Sequence, residues 1–175
     1  MIEVGPRPPI VLFGQPVLHT PTRAVTEFDT ALERLVDAMF TTMAAAPGAG
    51  LAANQVGVDL RVFVYDCGPE GKGCVVNPVL ERLPGGLRDG EEGCLSIPGL
   101  SYPTPRARRV RCTGHNLDGS ALDITAEGYL ARAFQHEVDH LDGKVYLERL
   151  GGKARRRAEG DVETAPWRGR PLRHV

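Results

Sequence analysis

QHEVDHLDG, residues 135–143, places His136 and His140 four positions apart, with Glu137 directly after the first histidine. On an α-helix, residues i and i+4 point the same way, about 40° apart around the axis. Two imidazoles at that spacing can reach one metal ion. Glu137 is rotated by about 100° from His136, so it flanks the pair without becoming a ligand. This is the HExxH arrangement, in which two ring nitrogens bind a metal and the carboxylate takes a proton from metal-bound water. The stretch predicts a helix that carries a hydrolytic centre on one face.

The neighbouring sequence fits such a helix. Thr125 is expected to cap a run from about Ala126 to Leu141, with Glu127 favourable in its first turn and Gly143 as terminator. Tyr129, Arg132 and Ala133 share a face with His136. A small Ala133 leaves room for a ligand side chain, and Tyr129 reads equally as pocket lining or core. The stem of Arg132 is expected to line a wall while its charge reaches solvent. Asp139 is expected beside the ligands, with Arg106 as a salt-bridge partner.

Further out, ARRVRCTGHNLDGSALDI (107–124) reads as a hairpin with Asp118-Gly119 at its turn. LRVFVYD (60–66) and CVVNPVL (74–80) read as strands, and 83–93 as an acidic loop. In TEFDTALERLVDAMFTTMAAAPG (26–48), Phe28, Leu32, Leu35, Met39 and Met43 recur at helical spacing until Pro47-Gly48 stops the run. Its methionines are core filler. The first 25 residues read as an extended arm.

The chain has 175 residues, the size of one ordinary domain. Its formal charge of -1 gives no basic field for DNA. No apolar run approaches the ~20 residues of a membrane span, and the proline-studded N-terminus is not built as a signal peptide. A cytoplasmic location is expected. Cys67, Cys74, Cys94 and Cys112 form no CxxC pair and are expected as free thiols, with Cys94 a special case.

Catalytic zinc usually has three protein ligands and an open position. The frame HExxHxxGxxH continues here to Gly143 but ends on Tyr146, so the third ligand is not that histidine. Glu148 is too close for a thermolysin-like pattern, and Glu159 and Glu163 lie in the tail. A thiolate is the remaining option, and Cys94 sits in EGCLSIP (92–98).

Three motifs then stand in order: GAGLAANQ (48–55), EGCLS (92–96) and QHEVDHLDG (135–143). Together they resemble the peptide deformylase family, and the similarity runs along most of residues 10–150. The resemblance implies a single α+β domain, residues 1–150, with antiparallel or mixed β-sheets around a central HExxH-bearing helix and an amphipathic helix N-terminal to it. It implies that Cys94, His136 and His140 hold one divalent metal ion. Fe2+ is expected in the cell, with Zn2+, Ni2+ or Co2+ in purified protein. Glu137 is implied as general base and then acid, with metal-bound water as nucleophile. Gln55, by its side chain, and Leu95, by its backbone N–H, are implied as donors to the oxyanion. The expected substrate is an N-formylmethionyl nascent peptide, which loses formate. Ala49, Gly50 and Gly93 are expected to contact it through backbone, and Tyr129 and Ala133 to line its methionine pocket.

Residues 151–175 differ in composition and are expected to be partly helical or disordered. They carry seven cationic residues against three acidic ones, net +4. Transient contact with ribosomal RNA through this tail is a further expectation. Two other readings are a HExxH endopeptidase with a thiolate ligand, and a silent relative that only binds chain ends.

Overall fold

Side chains alternate between the two faces of a strand, and along VFVYD that alternation separates two cores. Phe63 and Tyr65 enter one cluster, while Val62 and Val64 enter another. The structure is a computed structural model, and it describes residues 4–175. In chain order its elements are β1 (Ile10–Val11), α1 (Thr30–Ala45), β2 (Gly50–Ala52), β3 (Val62–Asp66), β4 (Lys72–Arg82), β5 (Leu87–Arg88) and β6 (Glu91–Cys94). Next come β7 (Ile97–Pro103), β8 (Arg106–Ala107), β9 (Arg109–His115), β10 (Ala121–Glu127), α2 (Gly128–Leu141), α3 (Gly152–Glu163) and β11 (Leu172–Arg173).

The main sheet is antiparallel throughout, in the order β10-β9-β4-β3-β2. Three two-stranded sheets, β1-β11, β5-β8 and β6-β7, complete the fold. This is an α+β domain with the HExxH helix against antiparallel strands. Helix α2 buries Leu130, Ala131, Phe134, Val138 and Leu141 against the Phe63 and Tyr65 face of the sheet. Phe134 meets the rings of Phe63 and Tyr65 edge-on, at centroid distances of 5.5 and 4.9 Å. Burying an aromatic side chain of this kind contributes about 1.5–3 kcal/mol.

Helix α1 covers the other face with Leu32, Leu35, Val36, Met39 and Met43. Its methionines are core residues, as their spacing indicates. Asp29 caps the helix by accepting from Ala31 N and Leu32 N, each at 3.0 Å. Phe28, expected on the apolar face, lies before this cap and packs on His115 instead.

Three expectations need correction. Thr125 does not cap α2, because it pairs with Arg111 in the β9-β10 ladder, which runs on through Glu127. The helix starts two residues later than expected, and the acceptor at its N-terminus comes from elsewhere: Leu130 N donates to Glu70 Oε2 at 2.9 Å. Residues 83–93 are not all loop, since β5 pairs with β8 and β6 with β7. The extended arm contributes β1, and the tail is partly helical: α3 buries Ala158 and Val162, and β11 pairs antiparallel with β1. Gly143 does terminate α2, at φ 72°, and a Cβ there would lie 2.8 Å from the Thr20 backbone. All four cysteines are free, and no described helix is long and apolar enough to cross a membrane.

Glu70→Ala removes the one side-chain acceptor described at the start of α2. It is expected to lower unfolding stability by about 1 kcal/mol, read as a shift of the urea midpoint at unchanged slope. An unmoved midpoint would remove Glu70 from that role.

Candidate active site

Strand β6 and helix α2 build the site. The β6-β7 ladder slips between Gly93 and Cys94, and such a slip re-aims the side chain that follows it. Cys94 Sγ lies 3.2 Å from His140 Nε2. One ligand atom each from Cys94, His136 and His140 falls within 4.8 Å of the others, and all three residues are buried. His136 and His140 stand with ring centroids 5.0 Å apart, as neighbours one helical turn apart must.

A polar network fixes this geometry. His136 Nδ1 meets Glu92 Oε2 at 3.0 Å, which leaves Nε2 for the centre. Arg106 grips both oxygens of Glu92 at 2.8 Å, and Arg132 adds a bond to Glu92 Oε1 at 2.8 Å. Arg106 also bonds Asp139 at 2.6 Å, and Arg149 closes on the same carboxylate. Burial alone would raise the pKa of Glu92, but Arg106 and His136 outweigh it and hold the acid near about 2. Burial also disfavours charge on His136, yet Cys94 and Glu92 overcome it and raise this imidazole well above its ordinary value. Burial, with His136 nearby, holds His140 well below its ordinary value. A thiol, two imidazoles and a carboxylate behind one of them make a donor set for a cation. The residues fit a divalent ion of borderline softness.

Glu137 is buried beside this set, and its Oε2 has no hydrogen-bond partner among the described residues. Burial pushes its pKa up to about 7; a bound cation would pull it down again. Gly50 explains how the carboxylate fits: a Cβ on Gly50 would collide with the Glu137 side chain. Gln55 is buried too. Its Oε1 accepts from Ala52 N at 2.9 Å, and its Nε2 lies 3.6 Å from Cys94 Sγ and 3.2 Å from Ser96 Oγ. A cleft of about 530 Å³ opens over these groups.

A profile described as Polypeptide deformylase matches residues 8–156. The chain belongs to this family. Peptide deformylase 2 of Corynebacterium efficiens is 47% identical over 169 residues, covering 91% of this chain and 88% of the relative. The crystal structure of peptide deformylase from Thermus thermophilus matches with a TM-score of 0.83 at 42% identity, covering 88% of this chain and 92% of that one. A plant peptide deformylase matches with a TM-score of 0.88 at 30% identity, covering 93% and 91%. Peptide deformylases are metal-dependent hydrolases, and the Cys94, His136 and His140 cluster provides a site that can hold a metal here.

The deformylase cleft is lined by Ala49, Gly50, Gln55, Gly93, Cys94, Leu95, Tyr129, Ala133, His136 and Glu137. His140, fully buried, lies behind that lining. Tyr129 is 51% exposed, which excludes the core reading. Arg132 departs from expectation: its side chain is only 11% exposed, and its guanidinium turns inward to Glu92, Thr104 O and Arg88 O. Asp139 does pair with Arg106. Sequence reasoning missed Glu92, although it begins the EGCLS motif, and Asn54, whose Nδ2 donates to His140 O at 2.5 Å. An acid next to a ligand segment was the available signal for Glu92. Nothing local marked Arg173, which also lines the cleft.

Glu92→Gln keeps the size of the side chain but removes the charge behind His136. Metal affinity is expected to fall about 10- to 100-fold, measured by chelator competition on folded protein. Affinity equal to wild type would show that Glu92 does not orient His136.

Proposed function

We propose that this deformylase hydrolyses the formyl amide on the N-terminal methionine of nascent peptides in the cytoplasm, releasing formate and a free amino terminus. The observation that carries the reading is the Glu137 carboxylate, buried in the cleft beside a Cys-His-His set with one oxygen unpartnered among the described residues. Cys94, His136 and His140 would hold one divalent ion. Their donor set suits ferrous iron, our proposal for the cell, and accepts zinc, nickel or cobalt. When bound, the ion supplies Lewis acidity to the formyl carbonyl and lowers the pKa of water.

The chain's own residues do the rest. Glu137 takes the proton of the attacking water and returns it to the amine nitrogen as the C–N bond breaks. The Gln55 amide, held at its oxygen by Ala52 N, and the Leu95 backbone N–H donate to the oxygen that gains charge. A fixed donor of this kind contributes about 3 kcal/mol to the transition state. Backbone at Ala49, Gly50 and Gly93 pairs with the extended peptide, and Ala133 and Tyr129 receive the methionine side chain.

The tail adds a proposed contact with the ribosome. Arg155, Arg157 and Arg168 are taken up by Glu159, Asp161 and Glu163. Lys153, Arg156 and Arg170 are exposed, and no ion pair is described for them. They are the exposed tail cations that a phosphate backbone would meet.

Formate release from formyl-Met-Ala-Ser is expected from protein purified without oxygen, with metal content read on the same sample. Glu137→Ala should lower the rate at least about 100-fold at equal metal loading; an undiminished rate would remove Glu137 as base. No release from iron-loaded wild type would overturn deformylation. Reversing Lys153, Arg156 and Arg170 to Glu should weaken low-salt cosedimentation with ribosomes, and equal cosedimentation would refute docking through these cations.

A further inference from the structure

The last element of the fold, β11, contributes Arg173 to the cleft lining. Residues after α3 turn back through a bend closed by Arg170 N→Trp167 O at 2.9 Å. Trp167 Nε1 donates to Pro98 O at 2.7 Å, and Tyr102 OH donates to Asp161 Oδ2 at 2.6 Å. Both contacts tie the tail to β7, and Pro98 is part of the cleft lining. β11 then pairs with β1, with Arg173 opposite Ile10, and Leu12 N donates to Pro171 O at 2.9 Å. The segment after β1 is itself joined to the ligand segment by Phe13 N→Ser96 O at 2.9 Å. The Arg173 backbone is therefore tied through β1 to Ser96, two residues from Cys94, by backbone hydrogen bonds.

Alternation along β11 decides what each residue faces. Leu172 is 44% exposed, while Arg173 is half-buried and joins the cleft lining. The other charges of that lining are mostly committed. Glu92 and Arg132 bond each other, and Glu137 belongs to the proposed chemistry. Glu91 is exposed on β6. Arg173 takes no part in the ion pairs found among the described residues. A half-buried guanidinium is screened less by salt than one on the open surface, and its five donors match a carboxylate.

We propose that Arg173 is a specificity-determining residue that binds a carboxylate carried by the peptide beyond its methionine. The formyl group must sit at Cys94, His136 and Glu137, whereas Arg173 comes from a surface strand and reaches the cleft from its lip. This rests on the deformylase reading of the cleft. The carboxylate has two sources, an acidic side chain or the C-terminus of a short peptide. Because the contact is remote from the reacting carbon, it stabilises ground and transition states alike and acts on KM rather than kcat. An ion pair at such a position changes affinity about two- to fivefold.

The test compares formyl-Met-Ala-Glu-amide with formyl-Met-Ala-Gln-amide, and formyl-Met-Ala-Ala with its amide, on wild type, Arg173→Gln and Arg173→Lys. Within each protein the readout is the ratio of KM for the charged and the neutral peptide, repeated at high salt. A parallel titration measures Kd for the same peptides on Glu137→Ala and on Glu137→Ala with Arg173→Gln, where turnover is suppressed. Wild type is expected to favour the charged member about two- to fivefold, with the preference lost in Arg173→Gln, partly kept in Arg173→Lys and weakened by salt. A preference confined to the free-acid peptide assigns the site to chain termini, and one confined to the Glu peptide assigns it to side chains. A ratio of one in wild type, or a ratio unchanged by Arg173→Gln, overturns the proposal. If wild type deformylates none of the peptides, the functional reading falls, and the Kd ratios alone still decide the role of Arg173.

Discussion

Taking a carboxylate out of water costs several kcal/mol even after the protein relaxes around it. At Glu92 that cost is offset by a bidentate bond from Arg106, a second guanidinium from Arg132, and an imidazole from His136. Three separate segments, β6, β8 and α2, are joined through this one side chain. Cys94 lies two residues along β6 and His136 is a direct partner, so the spacing between the thiol and the imidazoles is set by the same network. The second carboxylate, Asp139, repeats the device one turn along the helix through Arg106 and Arg149. The Cys-His-His cluster is thereby backed by charge pairs, with Glu92 and Arg132 in the wall of the cleft and Arg106, Asp139 and Arg149 outside its lining.

The sheet carries the other half of the architecture. Strand β3 sends aromatic rings toward α2 and valines toward α1. The HExxH helix consequently has one face sealed against the sheet and its ligand face turned to β6. Short β2 brings Gly50 against Glu137. There the absence of a side chain lets a backbone and a carboxylate approach closely enough for both to line the cleft. The GAGLAANQ segment thus packs against α2 and lines the cleft at one place.

Much of this was legible because it is local. The helical spacing of His136 and His140, the apolar period of α1, the Asp118-Gly119 hairpin and the role of Gly143 all depend on neighbours within a few residues. The three motifs in order then indicated the family. What escaped depends on distant partners. Glu92 meets His136 and Arg132 across 40 residues or more, and Glu70 meets Leu130 across 60. Thr125 looked like a cap because its own residue type favours one, but ladder pairing with Arg111 took precedence. The inward turn of Arg132 follows from a buried acid that periodicity does not reveal. Composition left the tail partly helical or disordered, since its cation-rich stretch gave no sign of the distant partners that Trp167 and Leu172 find.

The pairing of β1 with β11 bears on the order in which the molecule assembles. Joining Ile10 to Arg173 closes a loop that contains almost the whole chain. The entropy of closing it, which grows as (3/2)RT ln n, is unfavourable until the intervening sheet has shortened the effective path. Two short strands provide too little contact to nucleate such a closure, so local hairpins and the α2 core precede it. The Cys94, His136 and His140 cluster, set by β6 and α2, therefore matures before the β11 edge of the cleft does. A chain arrested between those stages would present the Cys94, His136 and His140 cluster while still lacking the part of the cleft lining that Arg173 supplies.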